Sequence, residues 1–331
     1  MSEFEKPSQI PSAATCVLHF ALTLLFVSGF MWVADTKARN PRDLPWLSPG
    51  MNEHLGAEYN SIAHAIRSGR GFSDPFEEAT GPTAWMPPAL PYLLAAVYAL
   101  SGDSQDAAIE FMVVLQCLAV TVTALLVVWQ AWKLRMVSVG YAIVVLGLAA
   151  NFRELFQITH DSSLLLLLVG LLWLGASTIW NGLSSWKPAL GWGAFGGLCA
   201  LFSPVIGAVW AVLTARCLWP HKGGSNRQSL MPLAVAALVS IAMVTPWTVR
   251  NRIVLGKWMP IKSNGMYEVW QSQCLDTDGV LDMQTLATHP WQMGNEERVK
   301  YKQFGEIEFI ENKAREAQQS IRQHPLDFCE R

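Results

Sequence analysis

Charge is scarce in this chain. Only 15% of its 331 residues are Asp, Glu, Lys or Arg, and they nearly cancel to a net −2. No basic cluster and no interleaved aromatic stripe is present, which excludes nucleic acid as an expected partner. There is no Gly-rich phosphate loop, no short tandem repeat and no low-complexity stretch, so phosphate-loop folds, solenoids and disordered arrays are set aside. Cysteine is sparse too. Cys16, Cys117, Cys199 and Cys217 fall inside apolar runs and read as small buried hydrophobes, leaving Cys274 and Cys329 as the pair able to close a disulfide if their segment is extracytoplasmic. The N-terminal region lacks the basic stretch and small-residue cleavage site of a removed signal, so its apolar run reads as a retained span.

What the chain has in quantity is apolar residues, 51% of the total, with a mean hydropathy of +0.25. They come in runs rather than in alternation, at residues 13–34, 107–132, 136–150, 163–180, 189–219 and 230–247. Each suits a helix in the roughly 30 Å hydrocarbon layer, and the fifth is long enough for two short spans hinged near Ser203-Pro204. The expected fold is an all-α polytopic membrane protein of about seven transmembrane helices, with residues 89–100 as a surface-lying helix. Three regions result: a tail at 1–12, a transmembrane region at 13–247 that includes an outer loop at 35–88, and an extracytoplasmic helical segment at 248–331. Lys37, Arg39 and Arg42 come just after the first span and argue against an inside N-terminus, whereas Lys133, Arg135, Lys187, Lys222 and Arg227 all fall inside if it is inside. The second set is larger, so the loop at 35–88 is expected outside.

That loop is the most informative stretch. A connector between spans needs only a few residues, yet this one is rich in acids, aromatics, Gly and Pro, which suggests chemistry at the membrane surface. Residues 56–68 read as an amphipathic helix closed by Gly69 and Gly71, and Gly81-Pro82 and Pro87-Pro88 bracket Trp85 in turn-rich chain. Beyond the last span, 296–323 carries a helical apolar stripe that His324-Pro325 ends.

Three blocks carry a family resemblance. The first runs through Gly56-Ala57-Glu58-Tyr59, Gly69-Arg70-Gly71-Phe72, Asp74-Pro75-Phe76 and Thr80-Gly81-Pro82-Thr83-Ala84-Trp85 to Pro87-Pro88 and Pro91-Tyr92. The second is Thr245 to Asn251 with Gly256, Pro260 and Ser263-Asn264, and the third is Gly305-Glu306, Lys313, Ala317, Ile321 and His324-Pro325. Together they resemble the membrane-embedded glycosyltransferases of the dolichyl-phosphate-mannose:protein mannosyltransferase and aminoarabinose-transferase type, with the C-type glycosyltransferase fold. The resemblance implies an inner (plasma) membrane enzyme that passes a sugar from a polyprenyl-phosphate donor to a lipid, protein or glycan acceptor on the outer face. It also implies an acidic residue of the first outer loop beside the acceptor. Glu58 matches that position best, Glu53 is a nearby competitor, and Leu55 stands where the commoner form of the motif has Asp. The family continues into further spans beyond the His-Pro block, whereas this sequence stops at Arg331, so a truncated form is an expectation as well.

Displacing a lipid phosphate with a hydroxyl needs a base at the nucleophile and cations at the departing phosphate. Glu58 reads as that base or as a solvated helix-face acid. Asp161, just before the span that opens at Ser163, reads as a binder of acceptor, as a binder of lipid phosphate through a divalent cation, or as a simple helix cap. Arg153, Arg250 and Arg252 are candidates for the carrier phosphate through forked guanidinium bonding, and equally for interfacial anchoring. Tyr59, Trp85 and Tyr267 offer rings for sugar stacking or for the interface. No residue spacing predicts a resident metal; no cofactor is certain, and a divalent cation stays open. Two other classes stay open: a transporter or flippase of lipid-linked intermediates, which would favour ionisable residues within the spans, and an inactive scaffold.

Overall fold

A computed structural model of the chain describes residues 13–39, 55–150, 161–179, 183, 185–217, 230–275, 285, 287–292 and 294–330. Glu53, Arg153, the turn at 151–160 and the loop with Lys222 and Arg227 lie outside the described residues, as does the side chain of Cys329. The described residues are helical apart from turns and loops and one isolated bridge between Ser73 and Pro82. They fall into two compact units, residues 1–56 with 100–182 and residues 57–99 with 183–331.

In the first unit α4 (Gln105–Lys133) is the central helix, and α1 (Ala13–Arg39), α5 (Val137–Ala150) and α6 (Ser162–Ile179) pack on it. Val27, Val120, Ala124, Val128, Val144 and Leu148 close the interior. The Ser104 hydroxyl caps α4 by accepting from the Ala107 N–H at 3.4 Å. His19 Nδ1 and the Tyr141 hydroxyl join α1 to α5.

The second unit takes α2 (Ala57–Arg67) from the loop region, α3 (Ala89–Leu100) from just after it, and α7 (Trp186–Phe202), α8 (Pro204–Arg216) and α9 (Leu230–Leu255) from the apolar runs. The hinge expected at Ser203-Pro204 is where α7 stops and α8 begins, with Pro204 at a first-turn position that needs no donor. Small residues set the packing of α7. A Cβ on Gly193 would lie 2.4 Å from the Ala236 carbonyl of α9, and one on Gly196 would lie 2.2 Å from the Trp210 ring of α8. Without side chains there, the helix axes approach closely.

After α9 come α10 (Gly265–Trp270), a π-helical turn at Gln271–Leu275, α11 (Glu296–Gln323) and a last short helix, Pro325–Glu330. The Asn295 side chain caps α11 by accepting from the Arg298 N–H at 2.9 Å. Gly305, at φ 74°, breaks α11 into two pieces that meet at an angle.

The expected edge between membrane region and tail at 247/248 falls inside α9, which runs through Pro246 to Leu255. A Pro within a helix leaves the carbonyl four residues earlier, here that of Ala242, without its usual helical donor. Residues 57–88 of the loop region and the C-terminal segment are parts of one unit. Among the described residues α4, α6 and α9 are long and apolar enough to cross a membrane. Large apolar side chains such as Val114, Trp173, Leu238 and Ile241 point outward from these helices, the surface of a protein solvated by lipid rather than water.

Candidate functional site

The loop at 68–83 is held by its own side chains. Gly69 and Gly71 take left-handed backbone at φ 78° and 73°, ending α2 and turning the chain. Asp74 then organises the turn at Thr80 and Gly81. Its Oδ1 accepts from the Thr80 and Gly81 N–H groups at 3.0 and 2.9 Å, and its Oδ2 accepts from Arg70 Nε at 2.8 Å. Burial pushes the Asp74 carboxyl up, but the bonds from Arg70, Gly81, Thr80 and Ser73 outweigh it and hold the group below 3.8.

Arg250 fixes this loop to α9. Its two terminal nitrogens donate to the carbonyls of Thr83 and Phe72, each at 2.6 Å. Its guanidinium lies 5.5 Å from the Phe72 ring centre and 4.9 Å from that of Trp247. Arg250 also borders a groove of about 390 Å³, otherwise lined by Tyr92, Leu198, Met243, Pro246 and Trp247 among others. The groove is mostly apolar, with one cation at its edge.

Behind the loop is an aromatic core made of Phe76, Trp85, Tyr267, Trp270, Tyr301 and Phe309. One carboxyl group, that of Glu306, is buried beside it. Its Oε1 accepts from the Ala84 N–H at 2.8 Å, and its Oε2 accepts from the Tyr301 hydroxyl at 2.8 Å and from the Thr83 hydroxyl. Arg298 joins the same faces, donating to the Trp291 carbonyl at 3.0 Å and to the Phe76 carbonyl, and pairing with Glu78 at 3.1 Å. Lys313, only 4% exposed, reaches Glu297 at 2.8 Å and lies 3.5 Å above the Trp270 ring.

Glu58 occupies the first turn of α2, where the helix dipole favours an acid. It is not a solvated face residue. Its side chain is 15% exposed, and its Oε1 lies 3.4 Å from Nε2 of His289, itself 16% exposed. The His289 ring meets Phe76, Trp85 and Tyr267 nearly edge to face, with centres 6.1, 6.0 and 5.6 Å away. Burial pulls the His289 imidazole down to about 4, which leaves it neutral around neutral pH. One turn after Glu58, on the same face of α2, Ile62 packs with Phe72 and Trp247, and Trp247 lines the groove.

The residues singled out in the sequence therefore separate. Glu58, Tyr59, Trp85, Arg250 and Arg252 are in the second unit, and Asp161 is in the first, just before α6. Tyr59 is buried, and Trp85 is fully enclosed, with Phe76 and Tyr267 each 5.1 Å from it between ring centres, so it is a core residue rather than an open stacking platform. Arg252 donates to the Gly256 carbonyl and sits 6.0 Å from Trp258 at the end of α9. Among the described residues no group of three or more His, Cys, Asp or Glu is arranged to hold a metal ion. His289, Tyr301 and Arg298 escaped sequence reasoning. Gly305-Glu306 and Lys313, within the third resemblance block, gave a signal, and it did not reveal that the Glu306 carboxyl and the Lys313 ammonium turn inward. Comparison with protein-family models, with curated proteins and with solved structures yields no match.

Proposed function

We propose that the protein is an integral membrane glycosyltransferase that moves a sugar from a polyprenyl-phosphate carrier to an acceptor on the outer face of the membrane. On this reading about seven helices cross the inner membrane, with the N-terminus inside and the α2 loop outside. The observation that carries it is the placing of Glu58 on a helix whose next turn packs against the wall of the Arg250 groove. An apolar groove edged by a cation suits a lipid chain with an anionic head, and a sheltered carboxyl group suits proton removal from an acceptor hydroxyl.

In the reaction so proposed, Glu58 takes the hydroxyl proton as the acceptor oxygen attacks the anomeric carbon. The bond from that carbon to the phosphate oxygen breaks, and its electron pair leaves with the polyprenyl phosphate. Arg250, whose terminal nitrogens already bond to loop carbonyls, contributes positive potential at the groove edge.

Glu58→Gln tests the reading directly. With the purified protein in nanodiscs and a polyprenyl-phosphate sugar, turnover is expected to fall at least about a hundredfold, the scale of a lost general base. Normal turnover in Glu58→Gln together with loss in Glu53→Gln assigns the role to Glu53 instead.

A further inference from the structure

We infer that His289 is a positioning residue for Glu58, donating a hydrogen bond from Nε2 that orients the carboxyl group for proton transfer. The inference rests on the proposed role of Glu58 as base and adds a second residue to that site. The geometry gives the tautomer. His289 Nδ1 accepts from the Trp291 N–H at 3.2 Å, so the single proton of the neutral ring belongs on Nε2, the nitrogen 3.4 Å from Glu58 Oε1.

The ring is also held from several sides. Phe76 and Trp85 from the loop and Tyr267 from α10 meet it nearly edge to face, which fixes its plane. The backbone is pinned as well: the His289 carbonyl accepts from Asn295 Nδ2 at 2.8 Å and from the Gln292 N–H at 2.9 Å. A side chain that only fills space needs neither a defined tautomer nor a carboxyl partner. The neighbouring titratable groups leave this bond undisturbed. Burial pushes the Tyr267 and Tyr301 phenols up, so both stay neutral. Glu297 is paired with Lys313 at 2.8 Å, and the Glu306 carboxyl is occupied by Thr83, Ala84 and Tyr301.

The consequence is a carboxyl group held in one orientation. With Oε1 facing His289, Glu58 takes the acceptor proton as the new bond to the anomeric carbon forms and the bond to the phosphate breaks. A hydrogen bond to the ionised form of a carboxyl group favours that form, so removal of His289 is expected to register in the pH profile of turnover.

Two measurements in nanodiscs test the inference. ¹⁵N NMR of histidine-labelled protein is expected to show His289 as the neutral Nε2–H tautomer, with its Nε2 resonance moving in Glu58→Gln. In steady-state kinetics, His289→Ala is expected to lower kcat about tenfold, the worth of one hydrogen bond, with KM within about twofold. Its acidic pH–rate limb is expected to move to higher pH. His289→Gln, whose amide nitrogen falls near the Nε2 position, is expected to recover part of kcat and return the limb. An Nδ1–H tautomer overturns the inference, and this readout needs no variant at His289 to fold. An unmoved acidic limb in His289→Ala, with Glu58→Gln inactive, overturns the inference alone. Full activity in Glu58→Gln overturns the underlying reading, and the positioning role falls with it.

Discussion

Arg250 does two things at once, and a conservative substitution separates them. Its fork reaches two carbonyls eleven residues apart in sequence, Phe72 and Thr83. A lysine carries the same charge on one nitrogen and cannot reproduce the planar bridge. Arg250→Lys is expected to lower stability by about 1–3 kcal/mol, and Arg250→Ala by more, because carbonyls inside a packed loop lose charged donors. Thermal unfolding in nanodiscs checks this, and catalytic effects of either variant are interpretable only at temperatures where it remains folded. Asp74 gives the loop an acid-sensitive fastening. Its folded pKa lies below 3.8, so its stabilising contribution is present above 3.8 and is lost as pH falls through the lower, folded value. Hydrogen exchange at the Thr80 and Gly81 amides is expected to speed up over that acid range, and to be fast at all pH values in Asp74→Ala.

Helices and their ends show how far sequence reading reaches. The apolar runs became helices, the Ser203-Pro204 hinge is real, and α11 spans 296–323 as its stripe predicts. All of this is written within short windows. Extension of α9 past Pro246 was not legible, because a Thr-Pro-Trp sequence resembles an exit. The site divides in the same way. Glu58 and Arg250 were singled out in the sequence as charges on an amphipathic helix and after an apolar run, and they lie in α2 and α9. The His289 partner and the inward turn of Glu306 were not, since each depends on contacts more than two hundred residues away. Close helix approach offers a test on α7. Gly193→Ala forces a methyl group against the Ala236 backbone and is expected to cost about 1–3 kcal/mol. Gly191→Ala, on the same helix with nothing within 4 Å, is expected to be neutral or to stabilise by up to about 1 kcal/mol. Chemical unfolding of the pair in one lipid mixture compares them directly.

At the scale of the molecule, Phe76 and Trp85 of the loop share one interior with Tyr301 and Phe309 of the C-terminal segment, and the proposed topology is expected to put both on the outer side. Thiol labelling of intact cells is expected to modify cysteines placed at Ala79 and Gln318 alike, and to leave one at Ser138, in the first turn of α5 just after Lys133 and Arg135, protected. Labelling of Ala79→Cys without Gln318→Cys contradicts the shared unit. The same interior has a consequence in time. Thr83 and Glu306, which meet through one hydrogen bond, are 223 residues apart in the chain. At ribosomal rates of about 5–20 residues per second, roughly ten to forty-five seconds pass between the synthesis of one and the other. For that interval Phe76 and Trp85 await their partners Tyr301 and Phe309. The nascent protein therefore passes through a period in which the aromatic residues of its loop are uncovered, and biogenesis factors at the membrane have that period in which to shield them.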